Sequence, residues 1–205
     1  MTDVNLSVIY YSATGTVHEM ARHAAASAEK AGATVRLRHV AELAPEQAIA
    51  ANPAWRRHVE ETRDEPRATA DDIVWADAVL FGSPTRFGNV TSQFQGFIDT
   101  LGPYWAKGRL QDKVYAAFTS SKTRHGGQES TLLSLYTTLH HFGGIVVAPG
   151  YTDPIKNEDG NPYGVSHVTG DDAAPLTDVE LHALEHLARR AVTIAERLKR
   201  GAAAD

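Results

Sequence analysis

The sequence predicts an α/β fold: a doubly wound, five-stranded parallel sheet with helices on both faces. Three observations carry that prediction. Five short apolar runs, at 6–11, 34–40, 78–83, 114–120 and 144–150, alternate with helical patterns along the chain, and steady strand–helix–strand repetition builds a parallel sheet covered on both sides. Several of the runs are rich in Val, Ile, Phe and Tyr without strict period-two alternation, as in strands buried on both faces. The run at 34–40 is the exception, because Arg36 and Arg38 interleave with Val35, Leu37 and Val40, which suits the edge of the sheet.

The elements follow in order. LSVIYY (6–11) leads through a polar loop into a helix at 16–31, where Met20, Ala21, Ala24, Ala25 and Ala28 recur at helical spacing and Gly32 ends it. After the edge strand, residues 41–72 carry charge and proline but no strand pattern, and are expected to form a partly helical excursion. AVLFGS (78–83) precedes a helix at 91–101, VYAAFTS (114–120) a helix at 127–141, and GIVVAPG (144–150) completes the sheet. Residues 151–176 are rich in turn formers and are expected to form a long loop. A helix at 177–199 places Leu181, Leu184, Leu187 and Ala188 inward with its arginines on a solvated face, and the tail GAAAD (201–205) is expected to fray. All 205 residues are read as one domain, long enough to bury a core without staples. Five strands wound this way give a sheet of flavodoxin type, whose ligands sit at the carboxyl ends of the strands.

Composition narrows the function. The absence of cysteine excludes disulfides, thiolate zinc sites and a cysteine nucleophile, and fits a reducing cytoplasm. No apolar run approaches the roughly 20 residues of a membrane span, and the start of the chain lacks the pattern of a signal peptide. A net charge of −5 with no basic stripe argues against nucleic acid as a partner. It is also too mild for the strongly acidic docking face of an electron shuttle.

Three loops at the carboxyl ends of strands carry the candidate chemistry. The first is Ser12-Ala13-Thr14-Gly15-Thr16-Val17. Backbone N–H groups at a helix start, the macrodipole and several hydroxyls suit a phosphate monoester. A ligand-free alternative is equally open: Thr16 as a cap with Glu19 reciprocating three residues on, a capping box. No G-x-G-x-x-G and no G-K-[ST] is present at this loop, which disfavours a dinucleotide-binding domain and a P-loop nucleotidase. The second loop, Pro84-Thr85-Arg86-Phe87-Gly88-Asn89, offers an aromatic and an arginine beside glycine, either for a planar heterocycle or as a plain surface turn. The third, Thr119-Ser120-Ser121-Lys122-Thr123-Arg124-His125-Gly126-Gly127, again joins strand to helix with hydroxyls, glycine and positive charge. Its donors suit the carbonyl edge of a pyrimidine-like ring, or simply cap the next helix. The joint occurrence of all three at one sheet edge favours a binding site.

The same segments carry a resemblance. YYSATGT, FGSPTRFGNV, WAKGRL, SSKTRHGGQE, LYTTLHHFGG and PGY, in that order over about residues 5–170, resemble the WrbA family of flavodoxin-like NAD(P)H:quinone oxidoreductases. PTRFGN and HGGQE are specific to that group, whereas S-x-T-G-T indicates only a flavodoxin-like protein. The resemblance implies non-covalent FMN, reduced by NADH or NADPH and reoxidised by a quinone in one two-electron step. It also implies a homotetramer whose pockets are completed by neighbouring subunits. By the same resemblance Ser12, Thr14, Gly15, Thr16 and Val17 match the phosphate loop, Thr85, Arg86 and Phe87 the surroundings of the isoalloxazine, and Ser120 to Gly126 the loop at its pyrimidine edge. Trp105 matches a tryptophan lining the substrate pocket from another subunit.

Three positions depart from the family pattern. Thr14 stands where many members carry tyrosine, Lys122-Thr123-Arg124-His125 replaces a more glycine-rich and shorter segment, and in LHHFGG His141 matches the first histidine of a pair while Phe142 replaces the second. His141 is the candidate for a catalytic role and, with Trp105 and Phe142, for the substrate pocket. His125, His140 and His141 are expected near the site, but no histidine pair has carboxylates at metal-ligand spacing, so no metal is expected. Two other functions stay open: a single-electron carrier of flavodoxin type, and a regulatory flavin-binding module without turnover.

Overall fold

The computed structural model describes residues 3–202. In chain order the elements are β1 (Val4–Tyr10), α1 (Thr16–Lys30), β2 (Ala33–His39), α2 (Glu46–Ala50), α3 (Pro53–Glu61), α4 (Ala70–Trp75), β3 (Ala78–Pro84), α5 (Ser92–Asp99), α6 (Gly102–Trp105), β4 (Val114–Ser121), α7 (Gln128–His141), β5 (Ile145–Val146), α8 (Ile155–Asp159), β6 (Val165–Val168) and α9 (Asp178–Ala202). Of the tail expected to fray, Gly201 and Ala202 continue α9, and residues 203–205 lie outside the described residues.

The sheet is parallel throughout, in the order β2-β1-β3-β4-β5 with β6 also on β4. The winding reverses between β1 and β3, and that switch point opens at the carboxyl ends of the strands. β2 is the edge, as its arginines indicated. Arg36 and Arg38 both reach the Asp72 carboxylate, at 3.3 and 3.0 Å, and the Arg36 guanidinium lies 4.0 Å from the Trp75 ring centroid. β4, by contrast, is buried along its whole length.

Two apolar layers cover the sheet. On one face Met20, Ala21, Ala24 and Ala28 of α1 meet Ala183, Leu184, Leu187, Ala188 and Ala191 of α9 over Leu6, Val8 and Leu80. The alanine-rich stripes let these helices pack closely together and onto the strands. On the other face Phe94 and Phe97 of α5 and Leu132, Leu135 and Leu139 of α7 cover Ile9, Phe81, Tyr115 and Ala117.

The fifth strand position differs from the expectation. GIVVAPG pairs with β4 only through Ile145, Val146 and the Val147 amide. The chain then leaves the sheet and returns as β6, which pairs with Phe118–Ser121 of β4. The expected loop 151–176 therefore contains α8 and β6. Pro149 has no N–H for a ladder, and the detour is anchored by the fully buried ion pair of Lys156 with Asp159, whose ammonium also donates to the Gly164 carbonyl at 2.9 Å. The excursion at 41–72 is partly helical, comprising α2, α3 and the start of α4.

Candidate functional site

Three strand ends feed the site. β1 ends at Tyr10, whose successor Tyr11 still bonds to the Gly82 carbonyl at 2.9 Å, and the first loop begins at Ser12. Gly15 is the N-cap of α1 with φ 105°, in the left-handed region that favours glycine. Its N–H donates to the Ser12 hydroxyl at 3.1 Å. No side chain among the described residues caps α1, so the capping-box reading does not hold: Thr16 is the first helical residue and its side chain lines the cleft. The true capping box lies at Thr69 and Asp72, on α4. The first turn of α1 thus keeps its unpaired N–H groups, with Ser12, Thr14 and Thr16 around them.

The second and third loops are welded through Thr85. Its N–H donates to the Ser120 carbonyl at 2.8 Å, and its hydroxyl accepts from the Gly88 amide at 3.2 Å and from the Thr131 hydroxyl at 2.7 Å. Arg86 and Asn89 exchange backbone bonds of 2.7 and 3.1 Å around Phe87 and Gly88, both at positive φ (54° and 81°), a tight turn of the mirror-image type. A phenylalanine in that conformation is strained, and its side chain is fully exposed at the tip of the turn. In the third loop the Ser121 hydroxyl donates to the Thr123 carbonyl at 2.7 Å, and the Gln128 amide donates to the Thr123 and Arg124 carbonyls. The loop conformation is therefore set from inside.

The three loops converge on one cleft of about 420 Å³, within the range of small-molecule and cofactor sites. Ser12, Ala13, Thr14, Thr16, Val17, Pro84, Thr85, Arg86, Ser120, Ser121, Lys122, Thr123 and Gly126 line it. Asn52, Trp55 and Thr169 line it too, and none of them was singled out from the sequence. Asn52 and Trp55 open α3; Thr169 follows β6, its amide bonded to the Ser121 carbonyl at 2.9 Å.

Other expected residues lie elsewhere. Gly15 shapes the first loop from behind the rim. Thr119 is a fully buried strand residue whose hydroxyl is spent on the Ser83 carbonyl at 2.7 Å. Phe87 and Gly88 form the turn outside the cleft, and the Asn89 side chain accepts from Ser134. Gly127 is the N-cap of α7, while Arg124 and His125 face a separate depression beside Glu129 and Glu158. His141 and Phe142, expected at the site, and Trp105, expected to reach it from another subunit, sit at the opposite end of the sheet within this chain. α7 starts beside the cleft and its 14 residues carry His140 and His141 about 20 Å away along the axis. The Trp105 indole donates to the His141 carbonyl at 2.6 Å, and Phe142 is buried against Tyr115. Within a single protomer these three therefore lie away from the cleft.

Beneath the first loop lies a cluster the sequence did not announce. The Tyr10 hydroxyl bonds to His18 Nδ1 at 2.7 Å and to Glu65 at 2.9 Å, the rings of His18 and His58 meet edge to face at 5.3 Å, and His39 lies 3.3 Å from Arg67. Burial lowers all three histidines, His58 to about 4, so the rings stay neutral. Among the described residues no group of three or more His, Asp or Glu side chains is arranged to hold a metal ion, and no helix is long and apolar enough to cross a membrane.

Comparison with known proteins agrees with this geometry. Residues 7–154 match the family model of NADPH-dependent FMN reductase. The chain is 45% identical over 196 residues to an NAD(P)H dehydrogenase (quinone) of Deinococcus radiodurans, covering 95% of this chain and 97% of the relative. It is 42% identical over 201 residues to one of Sinorhizobium fredii, covering 92% and 98%. Among solved structures, a WrbA-like flavodoxin from Agrobacterium tumefaciens superposes with a TM-score of 0.66 at 23% identity, covering 95% of this chain and 99% of that one. Oxidised flavodoxin 1 from Bacillus cereus gives 0.60 at 16% identity, covering 92% and 97%. The structural likenesses establish the fold, and the sequence matches establish the lineage. The chain belongs to the NADPH-dependent FMN reductase family, among its NAD(P)H dehydrogenase (quinone) members.

Proposed function

We propose that this chain is an FMN-dependent NAD(P)H:quinone oxidoreductase that reduces quinones to hydroquinones in a two-electron, ping-pong cycle. The observation that carries the reading is the convergence of three loops on one cleft, one wall of which is a helix start with no side-chain cap. The residues fit the cofactor. Unpaired N–H groups of α1 with the hydroxyls of Ser12, Thr14 and Thr16 receive a phosphate dianion, favoured by the macrodipole's half positive charge. Pro84, Thr85 and Arg86 lie beside the ring system, and the third loop supplies donors at its polar edge, where Lys122 is paired with Asp171 at 2.5 Å. When bound, FMN supplies hydride acceptance from the nicotinamide and electron delivery to the quinone.

The chain's own contribution is orientation and exclusion. Thr85, fixed by four loop contacts, keeps the second and third loops at constant separation. A single cleft admits donor and acceptor in turn, which is the basis for alternation. In the tetramer implied by the resemblance, Trp105, 53% exposed in this chain, reaches the cleft of a neighbour and completes the substrate side. The test is anaerobic: FMN is added, and the visible flavin band is followed with NADH, NADPH and then benzoquinone. Bleaching by the nicotinamide and full recovery with quinone, together with parallel initial-rate lines, are expected; no bleaching, or intersecting lines, contradicts the corresponding part of the reading. A large stable semiquinone on photoreduction would instead favour a single-electron carrier.

A further inference from the structure

One wall of the cleft comes from α3, and it is held by one carboxylate. Glu42, just beyond β2, receives five donors. Its Oε1 accepts from the Leu43 and Ala44 amides at 2.9 and 2.8 Å and from Gln93 Nε2 at 2.6 Å. Its Oε2 accepts from the Tyr11 hydroxyl at 2.7 Å and the Trp55 indole N–H at 2.8 Å. Burial opposes the charge on Glu42, yet the donors from Ala44, Gln93, Tyr11 and Trp55 outweigh it and hold the carboxyl below its ordinary range. This one side chain therefore ties together the residue that precedes the first loop, the start of α5 and the wall on α3.

Trp55 itself is fixed at both ends. Its backbone N–H donates to the Asn52 cap at 3.2 Å, with Pro53 opening the helix, and its indole N–H is spent on Glu42. With its polar edge engaged, the half-buried indole packs partly against the core and lines the same cleft as Thr14, Thr16 and Arg86. A rigid aromatic wall over a floor of hydroxyls and amides suits a planar heteroaromatic ring.

We propose that Trp55 is the aromatic wall against which the flavin ring of FMN packs, and that Glu42 is the positioning residue that sets it there; this rests on the flavin reading given above. The experiment is a double-mutant cycle on Glu42→Gln and Trp55→Ala in the full chain, with FMN affinity and the emission of bound flavin as readouts. Trp55→Ala is expected to weaken FMN binding about tenfold or more and to relieve the quenching of flavin emission by the adjacent indole. Glu42→Gln is expected to weaken binding about tenfold in the wild-type background and by less than about twofold when Trp55 is already alanine, which a general loss of stability would not reproduce. Trp55→Phe, which keeps a ring but cannot reach Glu42, should become insensitive to Glu42→Gln and serves if Trp55→Ala does not fold. Unchanged affinity and quenching in Trp55→Ala would overturn the inference while leaving the flavin reading intact. Failure of the wild-type chain to bind FMN would overturn both.

Discussion

Two kinds of helix start stand out among the longer elements around the cleft. α3 and α5 start on Asn52 and Thr91, whose side chains accept from the first backbone N–H groups, and α4 on Thr69, whose N–H and hydroxyl both donate to the Asp72 carboxylate. α1 and α7 start on glycines at positive φ, Gly15 and Gly127, and no described side chain caps either one. These two leave the first and third loops, both of which line the cleft; the short α2, α6 and α8, which begin on Pro45, Leu101 and Pro154 and also lack a side-chain cap, do not. A helix start capped from within has spent its donors on stability, whereas one opened on glycine keeps them for an anion. On the proposed reading the glycine-opened start of α1 is the ligand-holding one, and the starts of α3, α4 and α5 are structural.

The sharpest way to break that comparison is Thr16→Asp. A carboxylate at the first position of α1 complements the macrodipole and is expected to raise the melting temperature of the cofactor-free protein slightly, by about 0.3–1 kcal/mol of stability. The same charge opposes a phosphate, so FMN affinity should fall at least about a hundredfold. Opposite signs in the two readouts would identify α1 as a ligand-holding end; a parallel loss of both would make it an ordinary one.

The pH response sharpens it next, because the flanks of the cleft carry histidines of opposite behaviour. His58, beneath Gly15, is lowered to about 4 by burial and by the neighbouring His18. Its unfolded value is near 6.5, so the unfolded chain takes up the proton first, and stability drains from the first-loop flank as pH falls from about 6.5 toward 4. Burial also opposes the charge on His167 in β6, but Glu180 at 2.7 Å and the Ala174 carbonyl at 2.9 Å outweigh it and raise its pKa. Its contribution is full below the unfolded value and is lost as pH rises through the raised one. Unfolding at a series of pH values should show His58→Gln flattening the acid limb and His167→Gln flattening the loss above pH 6.5. An acid limb unchanged by His58→Gln would remove the cluster from the account.

The smallest effect belongs to the capped ends. Thr69→Ala removes the hydroxyl of the α4 capping box and should cost about 1 kcal/mol, or about 2–4 °C in melting temperature, with FMN affinity unchanged. A matching loss of affinity would show that the two classes of helix end are not independent.

Much of this organisation is legible in the sequence, and the gaps have physical reasons. Buried runs such as AVLF and VYAAF announce their strands because both faces are apolar, and Arg36 and Arg38 mark the edge because only an edge strand lets them reach Asp72. The split fifth strand escapes notice because VSHV is four residues of mixed polarity, too short for a period, and its partner is chosen by β4 alone. Trp55 escapes for a different reason: the charged stretch around it says helix, but only Glu42, 13 residues away, decides which way the indole faces. The glycine-opened α1 was ambiguous because Thr16 and Glu19 satisfy the capping-box spacing, and only the φ of Gly15 resolves it. Trp105, His141 and Phe142 are matched by position in a motif, and only for Trp105 does the resemblance imply a neighbouring subunit; the single chain puts all three at the far end of α7.

Competition between FMN and riboflavin for the purified protein tests the central claim most directly, since the two ligands differ only in the phosphate. If the open start of α1 and the hydroxyls of Ser12, Thr14 and Thr16 hold that group, FMN binds at least about a thousandfold more tightly, and Thr16→Asp erases most of the preference. Equal affinity for the two flavins would contradict the assignment of the first loop.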